Sequence, residues 1–231
     1  NNLVWGVGFK LTDAINAAAA ANPEVKYALV DAVADPALTN TVSVLFKAEQ
    51  PSFLVGYIAG HMTQTDNVGF IGGVEGDVIW GFEYGYRAGV AYAAKELGKE
   101  ITVQEQYANS FTDSALGRAI ARTMYGNGAD IVFSAAGDVG TGAIEEAAEQ
   151  GKYAIGVDRD QNYLAPDNVI TSAIKRVDVG VFNVIEQTIN EGFPGGQSIY
   201  RGQLLPGRRH RVAVSVAVNA VALPGSRKFA Q

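Results

Sequence analysis

GKYAIGVDRDQNYLAPDNVITSAIKR, residues 151–176, is the stretch that decides the fold class of this chain. Tyr153-Ala-Ile-Gly-Val157 is an apolar run of the kind required of a parallel strand buried on both faces, and it stops abruptly on Asp158-Arg159-Asp160-Gln161. A second run, Val169-Ile-Thr-Ser-Ala-Ile174, stops on Lys175-Arg176. Each strand therefore places charge at its carboxyl end. In open α/β sheets ligands bind along that edge, so Asp158 stands where it would accept hydrogen bonds from a neutral polar ligand or pair with a cation. Lys175 brings the opposite charge to an equivalent place. The alternative is a surface salt bridge plus a loop, and such pairs contribute little.

Outward from this stretch the same rhythm continues. Residues 3–7, 26–30, 41–46, 68–71, 101–106 and 131–134 read as strands, and residues 13–21, 52–62, 82–97, 114–125 and 142–150 as helices. Thr12 or Asp13 and Ser52 are expected to cap helices, whereas Gly98, Gly126, Gly128 and Gly151 are expected to end them. Strict alternation implies parallel, doubly wound sheets with right-handed crossovers. Periodicity alone leaves open whether there is one sheet or two.

Composition sets further bounds. The chain has 231 residues, 48% of them hydrophobic, enough for one large core or two small ones. Its net charge is −6, which argues against a nucleic-acid surface over the chain as a whole. The distribution is uneven: residues 201–231 hold six of the 18 basic residues and no acid, while the rest sets 12 basic residues against 24 acidic ones. Within that atypical basic tail, residues 212–218 alternate as a strand does, and Arg208-Arg209-His210-Arg211 forms a cationic cluster. There is no cysteine, so disulfides, thiolate metal sites and cysteine nucleophiles are excluded. No apolar run approaches the ~20 residues needed to span a bilayer.

Beyond these readings, a set of motifs resembles one family. GVDRDQ (156–161) and SAIKRVDVGV (172–181) are accompanied by VGFKLTDAI (7–15), NPEVKYALVD (22–31), VLFKAEQPSFLVGYIAG (44–60), VGFIGG (68–73), FEYGYRAGV (82–90), NSFTDSALG (109–117) and GADIVFSAAGDVGTG (128–142). In order and over residues 3 to 190, they are similar to the basic membrane protein family of solute-binding lipoproteins, purine nucleoside receptors of ABC transporters. That resemblance implies an α/β, bilobal, type I periplasmic-binding-protein-like fold of two doubly wound parallel sheets joined by a hinge. The first lobe is expected over residues 1–49 plus 160–200, and the second over 50–159. The opening strand and helix of relatives, with their ligand-touching Asp and Ser-Phe-Asn turn, are not matched, so the first lobe is expected to be incomplete. The N-terminal cysteine that would carry a lipid anchor is not matched either.

Candidate ligand-binding residues follow from position. Phe9 follows Gly6-Val-Gly8 at a strand end, where it either stacks on a planar base or staples the next helix. Asp13 either caps that helix or, by the resemblance, contributes a carboxylate to the ligand. Asp31 closes the next strand in the same manner and is the weaker candidate. Trp80 is expected in the loop after VGFIGG, as a ligand contact or as ordinary packing. Phe111 lies in the polar stretch 109–113, where an aromatic has little core reason to be, and is the preferred stacking residue; Asp113 is expected to cap the helix from Ser114. Gly137-Asp-Val-Gly-Thr-Gly142 lacks the GK[ST] of a phosphate loop, and Asp138 would repel phosphate. It reads as a tight turn whose Gly137 amide reaches a neutral ligand. By the resemblance Asp158 would hold a hydroxyl or base N–H of a nucleoside, and Lys175 a base carbonyl or that carboxylate. A metal site on Asp158 and Asp160, helped by Asp167, is the lesser alternative.

No catalytic constellation is visible. His61 and His210 are the only histidines, and neither has a nucleophile-elbow context. With the resemblance, this implies a non-enzymatic, extracytoplasmic binding component that takes up purine nucleosides such as guanosine, adenosine or inosine. Its partner would be an ABC transporter permease, with no cofactor, no metal and no nucleic acid, and its membrane attachment would run only through the unmatched lipid anchor. The alternatives are the ligand-sensing domain of a transcription regulator, which requires a helix-turn-helix head not visible here, or a nucleoside- or sugar-processing α/β enzyme.

Overall fold

A computed structural model describes residues 3–201 and 214–218. The chain runs through β1 (Leu3–Val7), α1 (Thr12–Ala21), β2 (Lys26–Val30), β3 (Thr41–Phe46), α2 (Glu49–Met62), β4 (Asn67–Gly72) and α3 (Asp77–Leu97). It continues through β5 (Thr102–Tyr107), α4 (Ser114–Gly126), β6 (Ile131–Ala135), α5 (Asp138–Glu149), β7 (Tyr153–Asp158) and β8 (Val169–Lys175). The last described elements are α6 (Val177–Asn190), β9 (Gln197–Arg201) and β10 (Val214–Val218). Two compact units result, Asn1–Lys47 with Lys175–Ser215 and Ala48–Ile174 with Val216–Gln231.

The first unit holds a four-stranded sheet in the order β1-β2-β3-β9, parallel throughout. Alternation along its strands sends Tyr27 and Leu29 toward Ile15 and Ala19 of α1, and Ala28, Val30, Val42 and Val44 toward Val184. The second unit holds a six-stranded sheet in the order β10-β8-β7-β6-β4-β5. Its pairings from β8 across to β5 are parallel. On one face Val68, Phe70, Phe133 and Ile155 meet Phe82 and Tyr86, with the Phe133 ring centroid 5.6 Å from Phe70 and 5.2 Å from Tyr86. On the other, Ile71, Val132 and Ala154 meet the apolar stripes of α4 and α5. Sheets sandwiched in this way need apolar residues at every position, which is why their strands read as unbroken runs rather than alternating ones.

Two corrections to the sequence expectations concern boundaries. Residues 160–174, expected in the first lobe, lie in the second unit, because β8 pairs with β7 from Ala154↔Val169 to Asp158↔Ile174. Residues 137–142 are not a free-standing tight turn: Gly137 caps α5, which begins at Asp138. Gly140 and Gly142 serve packing there, and a Cβ on Gly142 would lie 2.8 Å from the carbonyl carbon of Ser114. In the basic tail, the strand expected over 212–218 is described as β10, whereas Arg208-Arg209-His210-Arg211 lies outside the described residues.

Close packing in the second unit depends on glycines spaced four apart: Gly56 and Gly60 on α2 lie against Tyr86, Val90 and Ala93 of α3, and Gly85 and Gly89 on α3 lie against Glu49, Ser52, Phe53 and Tyr57 of α2. An added Cβ would lie 2.7 Å from Tyr57 N at Gly89 and 2.8 Å from Glu49 Cα at Gly85, so the two backbones themselves are in contact. Gly89→Ala is expected to cost about 2 kcal/mol, since the added methyl must push two helices apart. Gly81→Ala, whose Cβ would sit 3.7 Å from Ala48 Cβ, is expected to be neutral or slightly stabilising. Urea unfolding of both variants checks the contrast.

An ion pair between the buried Glu146 and the solvent-exposed Arg122 ties α4 to α5. Arg122 donates through Nε to Glu146 Oε1 at 2.8 Å and through Nη2 to Oε2 at 3.0 Å, and Gln150 Nε2 donates to Oε1 at 2.6 Å. Glu146 is 1% exposed. The Arg122 hydrogen bonds, against the opposing effect of burial, hold its carboxyl below the usual carboxylate range. A carboxyl depressed in the folded state contributes stability that is present above its unfolded pKa, about 4.3, and is lost as pH falls through the folded value. The wild-type protein should therefore melt above Glu146→Gln at neutral pH, and the gap should narrow below about pH 4; paired thermal melts read it.

Candidate functional site

Parallel strands bring their carboxyl ends to one edge of each sheet, and most of the candidate residues are found there. In the first unit β1 gives way to Gly8, at φ 103°, whose N–H donates to Val30 O at 3.1 Å. Phe9 then opens a short 3-10 turn and is half-buried, its carbonyl accepting from Thr12 Oγ1 at 2.6 Å. Asp13 lies exposed within the first turn of α1, not at its cap, which is Leu11. β2 ends one residue before Asp31, a non-glycine residue at φ 66°.

Asp31 is the residue that the sequence reading ranked too low. Lys175, the last residue of β8, donates from Nζ to Asp31 Oδ2 at 2.7 Å, and the two side chains are only 9% and 13% exposed. The same ammonium sits 6.0 Å from the centroid of the Phe46 ring. The contact is therefore a largely desolvated pair at two strand ends, not the surface pair that was the bland alternative for Lys175. The partners' separation of 144 positions along the chain explains why no local pattern announces it.

In the second unit, four consecutive strand ends carry the remaining candidates. Phe111, in the β5–α4 loop, is half-buried and packs against the core cluster, so its aromatic ring has a core role after all. Its ring lies against Gly73, where an added Cβ would meet Phe111 Cζ at 2.7 Å, and its carbonyl accepts from Asp138 N–H at 2.8 Å. Gly137, at φ 58°, brings its backbone beside that carbonyl, and an added Cβ would lie 2.6 Å from it. The loop is fixed further by Ser110 Oγ, which accepts from Thr112 N–H and Asp113 N–H, and by Asp113, which caps α4 through Leu116 N–H at 2.9 Å as expected. Trp80 lies inside the first turn of α3 rather than in a loop, 36% exposed.

Asp158 ends β7 in the left-handed region, at φ 65°, with its side chain exposed. Such a conformation costs a non-glycine residue about 1–3 kcal/mol and is retained where surrounding structure enforces it. Gln161 supplies the enforcement. It is 8% exposed; its Oε1 accepts from Val157 N–H at 2.8 Å, and its own N–H donates to Ser172 Oγ at 3.1 Å. Among the described residues no group of three or more His, Cys, Asp or Glu converges, so the Asp158/Asp160/Asp167 metal alternative finds no ligand set.

Comparison with known proteins decides the family. Residues 1–203 match the Bmp model, described as ABC transporter substrate-binding protein PnrA-like. The chain belongs to the Bmp family. Basic membrane protein D of Borreliella burgdorferi (strain JD1) is 42% identical over 207 residues, 87% of this chain and 60% of that protein. Basic membrane protein A of Borreliella afzelii is 47% identical over 181 residues, 77% of this chain and 54% of that protein. The chain thus spans about 60% or less of the length of these curated relatives.

Among solved structures, an ABC transporter system solute-binding protein from Aeropyrum pernix K1 superposes with a TM-score of 0.80 at 30% identity, covering 94% of this chain and 60% of that one. A transcriptional activator of the comK gene from Bacillus halodurans, at 21% identity and a TM-score of 0.78 over 96% of this chain and 73% of that one, shares the fold. The Bmp chain thus has the periplasmic-binding-protein-like α/β architecture, and its family is one of solute-binding proteins rather than enzymes. No helix among the described residues is long and apolar enough to cross a membrane.

Gln161 is a residue that the sequence leaves unmarked, and Asp31 one that it marks only as the weaker candidate. The signal for Asp31 was its place after an apolar run; for Gln161 it was only adjacency to Asp158-Arg159-Asp160. Asp31→Ala is expected to lower stability by about 2 kcal/mol, because a largely buried ammonium loses a charge-assisted hydrogen bond. Asp31→Asn, which tolerates the left-handed backbone, should lose less, and chemical denaturation of the pair of variants reads the difference.

Proposed function

We propose that this chain is the ligand-binding part of an extracytoplasmic receptor for purine nucleosides, delivering them to the permease of an ABC transporter. The observation that carries this reading is the chemistry of the strand ends. They present an exposed carboxylate held in an enforced conformation at Asp158, a half-buried aromatic held over glycine at Phe111, and a desolvated Lys175–Asp31 pair. A neutral, flat, hydrogen-bonding molecule suits such edges: the ring stacks, and the carboxylate accepts from hydroxyls or base N–H groups. A nucleotide suits them poorly, since in the second unit its phosphate would meet Asp158 and Asp138. The family resemblance suggests this class of solute, and the chemistry of the edges is compatible with it.

In this reading Phe111 is the stacking residue of the second unit, with Trp80 at the margin and the Gly137 amide as a donor to the ligand, and Phe9 is the stacking candidate of the first unit. Asp158 and Asp13 accept from it, and Lys175 either orients a carboxylate or donates to a base carbonyl. In this reading the ligand leaves unchanged. The protein acts outside the cytoplasmic membrane, held there through a lipid anchor of the kind the family resemblance implies.

Isothermal titration with adenosine, guanosine, inosine and a pyrimidine nucleoside, followed by chromatography of the recovered ligand, tests the reading. Saturable heat with purine nucleosides and intact recovered ligand is expected. Phe111→Ala and Asp158→Asn should each weaken binding about tenfold, a loss of about 1.4 kcal/mol, while circular dichroism stays unchanged. Recovery of free base would make the chain an enzyme, and equal affinity for all four nucleosides would remove the stacking and base-reading roles.

A further inference from the structure

β9 stands at the end of the first unit's sheet, and alternation along it turns Gln197, Ile199 and Arg201 to the same face. That face is the one covered by α6, where Ile199 packs with Val184. Between helix and strand lies a cavity of about 440 Å³, within the size range of small-molecule sites. Asn183 and Glu186 line it from α6, Glu191 from just past the end of that helix, and Ile199 and Arg201 from β9.

Two hydrogen-bond donors in this cavity have no acceptor among the described residues. Asn183 is 8% exposed and its Nδ2 is unpartnered; Arg201 Nε is buried and unpartnered, and among the described residues its guanidinium enters no ion pair. Burial pushes the Arg201 pKa down, as it does for a cation without a counter-charge. A buried donor left unsatisfied costs about 1–3 kcal/mol, so this arrangement is one that a bound acceptor would relieve. The same cavity carries the carboxylates of Glu186 and Glu191, both on exposed residues.

Charge balance narrows the occupant. A simple anion would satisfy Arg201 and Asn183 but meet two carboxylates, and a simple cation would satisfy the carboxylates but meet Arg201. A small molecule with a carboxylate at one end and an ammonium at the other answers both. We propose that the α6–β9 cavity binds a small zwitterion of the α-amino-acid class, its carboxylate on Arg201 and Asn183 and its ammonium toward Glu186 and Glu191. This site uses none of the strand-end residues assigned to the nucleoside.

The test is a titration of the isotope-labelled chain with glycine, L-alanine, acetate and methylammonium. It follows the Asn183 side-chain amide and the Arg201 Nε–H resonances. Saturable shifts are expected with both amino acids, a response at least about tenfold weaker with acetate, and none with methylammonium. Arg201→Gln should abolish the response. Glu191→Gln, at an exposed position, should weaken it several-fold and leave thermal unfolding unchanged. Acetate binding as tightly as glycine, no saturable shift with any of the four probes, or unaltered glycine binding in Arg201→Gln would overturn the assignment. Nucleoside titration heats are read at the strand ends, so failure of one site is distinguishable from failure of the other.

Discussion

In a parallel sheet the chain must return to the same side before each new strand, so every strand leaves its carboxyl end on one edge and every strand-to-helix connection begins there. That directional constraint places Asp31, Phe9, Phe111, Gly137 and Asp158 where they are. None of them is held by its own strand alone. Each sits at the last residue of a ladder of hydrogen bonds or in the loop that follows it, where backbone groups need new partners.

How the ladder ends differs from strand to strand. Gly8 and Gly137 take positive φ with no Cβ to strain, whereas Asp31 and Asp158 take it with a short carboxylate side chain. For Asp158 the cost is met by Gln161, which fills the space beside Gly156 and holds the Val157 amide. For Asp31 it is met by Lys175, brought in by the chain as it leaves β8. The two aspartates share a local conformation and differ in what enforces it: a neutral amide network in one unit, a desolvated charge pair in the other.

Packing behind these edges is set by backbone proximity as much as by apolar area. α2 and α3 meet through Gly56, Gly60, Gly85 and Gly89, and α4 and α5 meet through Gly117 and Gly142, so several glycines that resemble turn signals are contact surfaces. This is why the glycine-rich stretch 137–142 belongs to a helix. Its residues were taken for a loop because their composition is that of a loop, but the neighbouring helix rewards the missing side chains with close contact.

The sequence alone determined the alternation of strands and helices, the parallel character of the sheets, the family, and the placing of Asp158 and Lys175 at strand ends. All of these rest on periodicity, on runs of apolar residues and on local order along the chain. Tertiary structure alone decided that β8 joins β7 in the second sheet, that Trp80 lies inside α3, that Phe111 rests on Gly73, and that Lys175 finds Asp31 across 144 residues. Those facts depend on contacts between residues far apart in the chain. Local pattern fixes what a segment becomes; which distant segment it meets is fixed by packing and charge in three dimensions.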